Sequence, residues 1–413
     1  MRRLFNQLKT FGFKELYRRR KKRIINSITK RLGDHLLKFY PKLPQNYEFV
    51  VLNYSVSGHF AFSSFLELCG LKHINLSQDN YMYYGEARKM LKNSKDKNFL
   101  SISLYRNFKK RLKFTKILSC NFPLVILLRD PISRLKTTIN HGYPNAKVSK
   151  FQFSLKDDID KSLPEIVYSG ALTPQITDLE KIFDKKFIDF KYQSNITPFL
   201  TNKGGGGKPR QVIYIDTQDL QADKAFDTMK RLSKILHFNP PKEEDRAKFE
   251  RKAWNNYTLF LPFTFYIDHK DFSHLKDKIK IIITEEPLNQ LKDIKNLFLN
   301  ENDLCYKHLS INVEQKYYEL IKEDKEIKER LKSYFKEFVK ILDEKVRFKK
   351  DNALNENDVL EYFKNNKTLA LQFKALLDSE LTHIKQTRPD IIASWKYYQE
   401  FEKICEGFSQ NSH

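Results

Sequence analysis

The stretch FVVLNYSVSGHFA, residues 49–61, joins an apolar run to a short turn and then to the start of an amphipathic segment. The pattern predicts a strand, a turn and a helix in that order. Such a turn aims backbone N–H groups and the positive end of the helix dipole at an anion. Gly58 permits close approach of the backbone, and the hydroxyls of Ser55 and Ser57 can donate to phosphate oxygens. An ordinary connection between a strand and a helix has the same pattern, so both interpretations stay open. The predicted phosphate-binding residues are Ser55, Ser57, Gly58, His59, Phe60 and Ala61.

A second stretch, PLVILLRDPISRLKT at residues 123–137, has the form of a buried strand that ends at Arg129. The proline two residues later suits the first turn of a helix. An arginine at the carboxyl end of a strand lies where open α/β sheets bind ligands, and its planar guanidinium matches a phosphate. The alternative is structural, with Arg129 and Asp130 only stabilising the turn. The predicted donor-binding residues of this stretch are Arg129, Ser133 and Thr137.

Short apolar runs alternate with helical periodicity from about residue 48 to residue 300. The alternation predicts an α/β core, a parallel sheet covered on both faces by helices. The predicted strands cover residues 49–53, 99–103, 124–128, 212–215 and 279–283, and the predicted helices cover residues 61–69, 132–139 and 225–236. After about residue 300 the sequence changes to long charged helices and shows no strand pattern. We therefore predict a basic leader at residues 1–46, an α/β core at residues 47–300 and a helical region at residues 301–413.

The predicted leader carries 14 lysines and arginines against two acidic residues, about half of the net charge of +24. Its apolar residues recur at helical spacing, which predicts a basic amphipathic helix. Such a helix can lie on an anionic membrane surface, or it can pack its apolar stripe on the core. Net charge alone suggests nucleic-acid binding, but no recognition motif accompanies it, so we expect no nucleic acid as partner.

The remaining composition places the chain inside the cell. A content of 40% hydrophobic residues excludes a disordered chain. No apolar run reaches the roughly 18 residues of a membrane span, and the first residues lack the apolar stretch of a secretory signal. The four cysteines, Cys69, Cys120, Cys305 and Cys405, have no metal-ligand spacing, so we expect neither a disulfide framework nor a metal. We predict a cytoplasmic protein, with peripheral attachment to the inner membrane if the leader binds lipid.

Taken together, the two stretches resemble the sulfotransferase family, in their order and in their separation of roughly 70 residues. In that family the first segment holds the 5′ phosphosulfate end of phosphoadenosyl phosphosulfate, and an arginine with a serine eight residues later holds the 3′ phosphate. The resemblance implies the first role for residues 57–61 and the second for Arg129 and Thr137. A third stretch, VIYIDTQDL at residues 212–220, resembles the family's later strand. The resemblance covers about residues 48–240 and implies a P-loop, sulfotransferase-like fold.

Two features of the family pattern are missing. Val56 stands where sulfotransferases have a lysine or arginine that neutralises the bridging oxygen as the bond breaks. Either His59 or Arg134 supplies that cation, or the donor is not a phosphosulfate. No motif locates the catalytic base, for which His59 and His141 are the candidates.

The whole chain also resembles an uncharacterised family of ε-proteobacterial proteins, some of them described as sugar transferases or as transferases of O-methyl phosphoramidate to capsular sugars. This resemblance implies modification of a capsule or lipooligosaccharide, with phosphoadenosyl phosphosulfate or a cytidine nucleotide as donor and a polysaccharide or glycolipid as acceptor. The glycine run at residues 204–207 precedes a strand, whereas a phosphate loop follows one, so we interpret it as a flexible loop. Repeated glycine codons can slip during replication, which would make the gene phase-variable.

A glycosyltransferase using a nucleotide sugar is the alternative function. Asp158 and Asp160 have the Asp-x-Asp form that such enzymes use to hold a metal and a sugar nucleotide. Those pairs follow a buried strand, and residues 151–156 form a poor one. A better interpretation places Asp157, Asp158 and Asp160 in the first turn of a helix, where carboxylates interact favourably with the helix dipole. The leading prediction is a metal-independent transferase that moves a sulfuryl or O-methyl phosphoramidate group from a nucleotide donor to a sugar hydroxyl.

Overall fold

The computed structural model describes residues 41–76, 81–104, 115–119, 121–145, 153–184, 190–201, 208–250, 256–303 and 305–410. The leader up to residue 40, the glycine run at residues 204–207 and Cys120 lie outside the described residues. The chain divides into two compact units that interleave along the sequence. The first unit consists of the described residues within Met1–Arg134, Ile182–Ala253 and Leu360–His413. The second unit consists of those within Leu135–Lys181 and Trp254–Val359. The three-part division at residues 46 and 300 stays a prediction.

The described strands are, in chain order, β1 (Phe49–Tyr54), β2 (Lys72–Leu76), β3 (Asn98–Leu104), β4 (Pro123–Leu128), β5 (Tyr143–Pro144), β6 (Phe153–Ser154), β7 (Ile166–Val167), β8 (Gln211–Asp216), β9 (Phe263–Ile267), β10 (Ile279–Thr284), β11 (Leu291–Asp293) and β12 (Ser310–Glu314). The described α-helices are α1 (His59–Leu68), α2 (Tyr81–Asn93), α3 (Pro131–Ile139), α4 (Ile159–Ser162), α5 (Asp178–Asp184), α6 (Tyr192–Leu200), α7 (Ala225–Leu236), α8 (Arg246–Phe249), α9 (Tyr318–Glu323), α10 (Lys325–Asp351), α11 (Glu356–Asn365), α12 (Lys367–Glu380), α13 (Thr382–Thr387), α14 (Pro389–Ser394) and α15 (Lys396–Gln410).

The first unit is built on a parallel sheet with the strand order β2-β3-β1-β4-β8. Strands β1, β3 and β4 are buried along their whole length, which explains their near-continuous apolar sequences. One face of the sheet packs on α1 and α7. In α7 the inward residues recur every three or four positions, at Phe226, Met229, Leu232 and Leu236. The predicted α/β class with a parallel sheet and flanking helices is confirmed.

The second unit contains a different sheet, of order β11-β12-β10-β9-β6, whose pairs are antiparallel except for β6 with β9. Ile279, Ile281 and Ile283 of β10 point into a core that α10 covers. The prediction that residues 279–283 belong to the parallel sheet was therefore wrong. An apolar run is compatible with either sheet, because its partners decide the direction of pairing. Strand β12 also corrects the prediction that no strand follows residue 300.

The C-terminal part of the first unit is helical, as predicted, and consists of the end of α11, from Leu360, and α12 to α15. Helix α12 contacts α6 through Glu380, which is buried and accepts hydrogen bonds from the backbone N–H and the hydroxyl of Ser194. These bonds satisfy donors at the beginning of α6. Within the described ranges, no helix has the length and apolarity that a membrane crossing requires.

Candidate nucleotide site

The turn after β1 has a conformation that requires glycine. Gly58 has a φ of 81° and is the N-cap of α1, where it offers no side-chain acceptor. Val56 has a φ of 51°, a value that β-branched residues rarely adopt. The buried Ser57 hydroxyl donates to the Tyr54 carbonyl oxygen over 2.7 Å and so closes the turn. The first N–H groups of a helix have no acceptor inside it. Those of α1 lie at the carboxyl end of β1, and Gly58 offers them no side-chain acceptor.

Two arginines hold successive carbonyl oxygens of this turn. Arg134 donates from Nε to the Ser55 oxygen over 3.0 Å, and Arg129 donates from Nη1 to the Val56 oxygen over 3.0 Å. Arg129 is half-buried at the end of β4, which is the neighbour of β1 in the sheet. The structure therefore brings Arg129 to the predicted phosphate turn. Both guanidinium groups offset the negative ends of carbonyl dipoles that would otherwise repel an anion.

Arg134 lies beneath the turn and is 1% exposed. Its Nη1 donates to the Tyr192 hydroxyl over 2.8 Å, and its guanidinium carbon lies 4.6 Å from the centre of the Phe190 ring. Aromatic faces and hydrogen bonds stabilise the buried cation. Arg134 therefore supports the turn from below through the Ser55 carbonyl.

Asp130 connects the site to the C-terminal helices. One of its carboxylate oxygens accepts from the N–H groups of Ile132 and Ser133 at the start of α3. The other accepts from those of Tyr397 and Tyr398 in the first turn of α15. A single buried carboxylate thus caps two helices. Burial raises the pKa of Asp130, and the four N–H donors oppose that rise.

The last residue of β8, Asp216, and the residue that follows it, Thr217, also support the turn. The Thr217 hydroxyl donates to the Leu128 carbonyl oxygen at 2.6 Å and lies 3.2 Å from the Ser57 oxygen. Asp216 accepts from the N–H of Gln218 and from the indole N–H of Trp395 in the C-terminal region. Its pKa is raised by burial. Sequence analysis did not predict these roles of Asp216 and Thr217.

Replacing Gly58 with alanine is expected to destabilise the turn. An added Cβ would lie 3.0 Å from Thr217 Cγ2, and a φ of 81° disfavours any L side chain. We expect the free energy of unfolding to fall by about 1–2 kcal/mol, measured by urea denaturation. Gly85→Ala is the matched control, since Gly85 lies in α2 and a Cβ there meets nothing within 4 Å. Equal effects of the two substitutions would contradict the assigned strain.

The other predicted residues fall into two groups. His59, Phe60 and Ala61 form the first turn of α1, and Ser133 lies in the first turn of α3. Thr137 and His141 belong to the second unit and are described with it. Thr137 lies in the last turn of α3. The His141 ring packs edge-on against Tyr143, with 4.7 Å between ring centres.

Both candidate bases have a lowered pKa. Burial, with a smaller contribution from His73, lowers the pKa of His59 to about 4. Burial, followed by the charge of Lys349, lowers the pKa of His141. Each imidazole is thus neutral at neutral pH and has a lone pair that can accept a proton. Of the two, His59 lies in the first unit together with the turn.

The Asp-x-Asp pair occupies the start of a short helix. Asp158 is the N-cap of α4 and accepts from the Lys161 N–H over 3.2 Å, and Asp160 lies in the first turn. Both carboxylates form ion pairs, Asp158 with Lys161 at 2.9 Å and Asp160 with Lys345 at 2.6 Å. The prediction that these aspartates begin a helix is confirmed for Asp158, as the N-cap, and for Asp160, in the first turn. Asp157 precedes the helix, and its carboxylate accepts from the N–H and the hydroxyl of Ser154.

Substituting the pair tests the metal interpretation directly. Asp158→Ala is expected to lower the free energy of unfolding because a helix cap is lost. Asp160→Ala, which removes an exposed ion pair, is expected to change it by less than about 0.5 kcal/mol. Thermal unfolding would be measured with and without Mn²⁺. We expect the change in Tm on adding Mn²⁺ to be the same for both variants and for the unsubstituted chain. Loss of an Mn²⁺-induced stabilisation in the variants would favour the glycosyltransferase.

The family model described as "Protein of unknown function (DUF2972)" matches residues 214–408, slightly less than half of the chain. The matched range begins within β8 and ends within α15, so it contains Asp216 and Trp395 but neither the turn nor Arg129. No curated protein matches the sequence.

Among solved structures, the chain is similar to the mouse sulfotransferase SULT7A1 complexed with PAP. The identity is 10%, the match covers 55% of this chain and 70% of that chain, and the TM-score is 0.29. Similarity at this level assigns neither fold nor activity. The fold class rests instead on the strand order of the parallel sheet.

Proposed function

We propose that this chain is a transferase that carries a sulfuryl or O-methyl phosphoramidate type of group from a nucleotide-linked donor to a sugar hydroxyl of a surface polysaccharide or glycolipid. The observation that carries the proposal is the start of α1, whose N-cap Gly58 has no side-chain acceptor, beside two guanidinium groups, each 3.0 Å from a carbonyl oxygen of the turn. Helix N–H groups and a planar cation at the carboxyl ends of parallel strands favour a phosphate. The binding residues proposed for the donor are Ser55, Gly58, His59, Phe60, Ala61, Arg129 and Ser133. The buried Ser57 hydroxyl donates to the Tyr54 carbonyl oxygen and so supports the turn. The role of Thr137, which belongs to the second unit, stays a prediction.

The proposed transfer needs one proton acceptor and one cation. The acceptor oxygen attacks sulfur or phosphorus, and a new bond to that oxygen forms. The bond to the bridging oxygen breaks, and the nucleotide leaves with the electron pair. His59 takes the proton of the acceptor hydroxyl, since its neutral imidazole belongs to the same turn. Arg129, whose Nη1 lies 3.0 Å from the Val56 carbonyl oxygen, is the cation that the proposal places at a phosphate of the donor.

A ligand panel tests the donor class. Thermal unfolding of the full chain would be followed with 3′-phosphoadenosine 5′-phosphate, cytidine nucleotides and nucleotide sugars, and with inorganic phosphate as the reference. A ligand present at a hundred times its Kd stabilises the folded state by about 2.7 kcal/mol. We expect an adenosine bisphosphate or a cytidine nucleotide to raise Tm more than phosphate does. A panel in which no nucleotide exceeds phosphate would contradict the proposed function.

A further inference from the structure

A row of polar side chains crosses three strands of the parallel sheet. Asn53 of β1 pairs in register with Ser103 of β3, and Ser101 of β3 pairs with Asn75 of β2. Side chains two residues apart on a strand share a face. The row is therefore on the face that carries Phe49 and Phe99 further back along the strands, within the apolar core. This face changes from apolar to polar toward the carboxyl ends of the strands, beside the turn.

A cavity of about 340 Å³ lies between this polar row and the side of α1 that bears His59, Ser63, Ser64 and Glu67. Its lining also includes His73 and Phe60, the latter 67% exposed. The cavity begins at the residues that follow Gly58 and extends toward β3 and β2. Arg129 lies on the other side of β1, at the end of β4. The turn thus separates the cavity from the arginine.

Asn53 is the residue of the lining that points to a polar ligand. Its side chain lines the cavity and is only 1% exposed, and its Oδ1 accepts no hydrogen bond from the described residues. A buried acceptor without a donor is unfavourable, and a ligand hydroxyl would satisfy it. His73, by contrast, is fixed, because its Nε2 lies 2.6 Å from the Ser101 hydroxyl and its ring stacks on Phe99.

The charge of the lining limits the class of ligand. Glu67 is the one formally charged residue among the described lining residues, and both histidines have a lowered pKa. The cavity is therefore neutral to negative in a chain whose net charge is +24. The hydroxyl and amide groups of the lining can both donate and accept hydrogen bonds, as the hydroxyls of a sugar do. The carboxylate of an acidic sugar would be repelled by Glu67, and no cation among the described lining residues would offset that repulsion.

We infer that this cavity is the acceptor site and that it binds a neutral, polyhydroxylated sugar unit, excluding uronic acids. Asn53 and the serines of the polar row would bind ligand hydroxyls, and Phe60 would offer an apolar ring face at the rim. One hydroxyl would then lie at His59, beside the donor turn. The inference rests on the proposed function for its chemistry, but binding of the sugar does not require the nucleotide.

Imidazole NMR resonances of His59 and His73 in the full chain test the inference. Methyl glucoside, methyl galactoside and methyl mannoside are titrated separately, with glucuronate as the anionic counterpart. We expect at least one neutral glycoside to shift both imidazole resonances saturably, and glucuronate to bind at least about tenfold more weakly. Glu67→Gln should reduce that difference, because the repelling charge is removed.

Ser64→Trp fills the cavity from an exposed position of α1 and should abolish the shifts. Ser379→Trp, at an exposed position of α12, is the matched control and should leave them unchanged. Absence of imidazole shifts with all three glycosides, or shifts that persist in Ser64→Trp, would overturn the inference. Glucuronate binding as tight as the best glycoside would overturn it as well. Glycoside binding without any nucleotide binding would keep the sugar site and remove the transferase, so the two failures are distinguishable.

Discussion

Replacing Asp130 with alanine is expected to lower the free energy of unfolding by about 3 kcal/mol, among the largest effects of any single substitution in the first unit. The carboxylate is 4% exposed and accepts four backbone N–H groups, two at the start of α3 and two at the start of α15. Loss of a side-chain cap costs typically about 1 kcal/mol for each helix, and the buried N–H groups lose their acceptor as well. Urea denaturation followed by circular dichroism measures the change.

Two further variants serve as comparisons for Asp130→Ala: Asp130→Asn at the same position and Asp223→Ala at the surface. Asparagine keeps one oxygen acceptor, so we expect an intermediate loss. Asp223 is exposed, and its removal is expected to change the free energy of unfolding by less than about 0.5 kcal/mol. Hydrogen exchange adds a local measurement, because the amides of Tyr397 and Tyr398 should lose protection in Asp130→Ala. A variant as stable as Asp223→Ala would contradict the double cap.

Replacing Arg134 with methionine is expected to cost about 2–4 kcal/mol of folding stability and to weaken nucleotide binding. Methionine fills much of the volume but offers no donor to the Ser55 carbonyl or to the Tyr192 hydroxyl. Since Ser55 belongs to the turn, its carbonyl oxygen would lose the guanidinium that offsets its dipole. Denaturation gives the stability, and calorimetry with the nucleotide identified by the ligand panel gives the affinity.

Arg231→Met is the control for this substitution, because Arg231 is exposed on α7. Arg134→Lys keeps the charge but cannot reproduce the planar pair of donors, so we expect partial rescue at most. An Arg134→Met variant with the stability of Arg231→Met would show that the buried arginine does not support the turn.

The sequence predicted the turn and the strand of Arg129 correctly because local signals determine both. An apolar run followed by a turn containing Gly58 has one common interpretation in an α/β protein, and α7 was predicted with its observed ends. Strands β1 and β4 are parallel neighbours in the sheet, so their carboxyl ends lie side by side. Arg129 follows β4 and Val56 follows β1, so the arginine can reach the Val56 carbonyl oxygen.

The polar strand β2 and the antiparallel sheet were missed for different reasons. Strand β2 lies at the edge and carries His73 and Asn75, which break the apolar pattern. Strand β10 was recognised, but pairing direction depends on distant partners that a local pattern does not contain. The same limit applies to Asp130, whose second helix lies far along the chain.

Titration calorimetry of Arg129→Ala against the unsubstituted chain tests the central claim most directly. The titrant is the nucleotide that gives the largest thermal shift in the panel, and Arg231→Ala serves as the matched surface control. Removal of the guanidinium at the turn should weaken binding by about a hundredfold, ~2.7 kcal/mol, with Arg129→Lys intermediate. An affinity for Arg129→Ala equal to that of Arg231→Ala and of the unsubstituted chain would contradict the proposed nucleotide site.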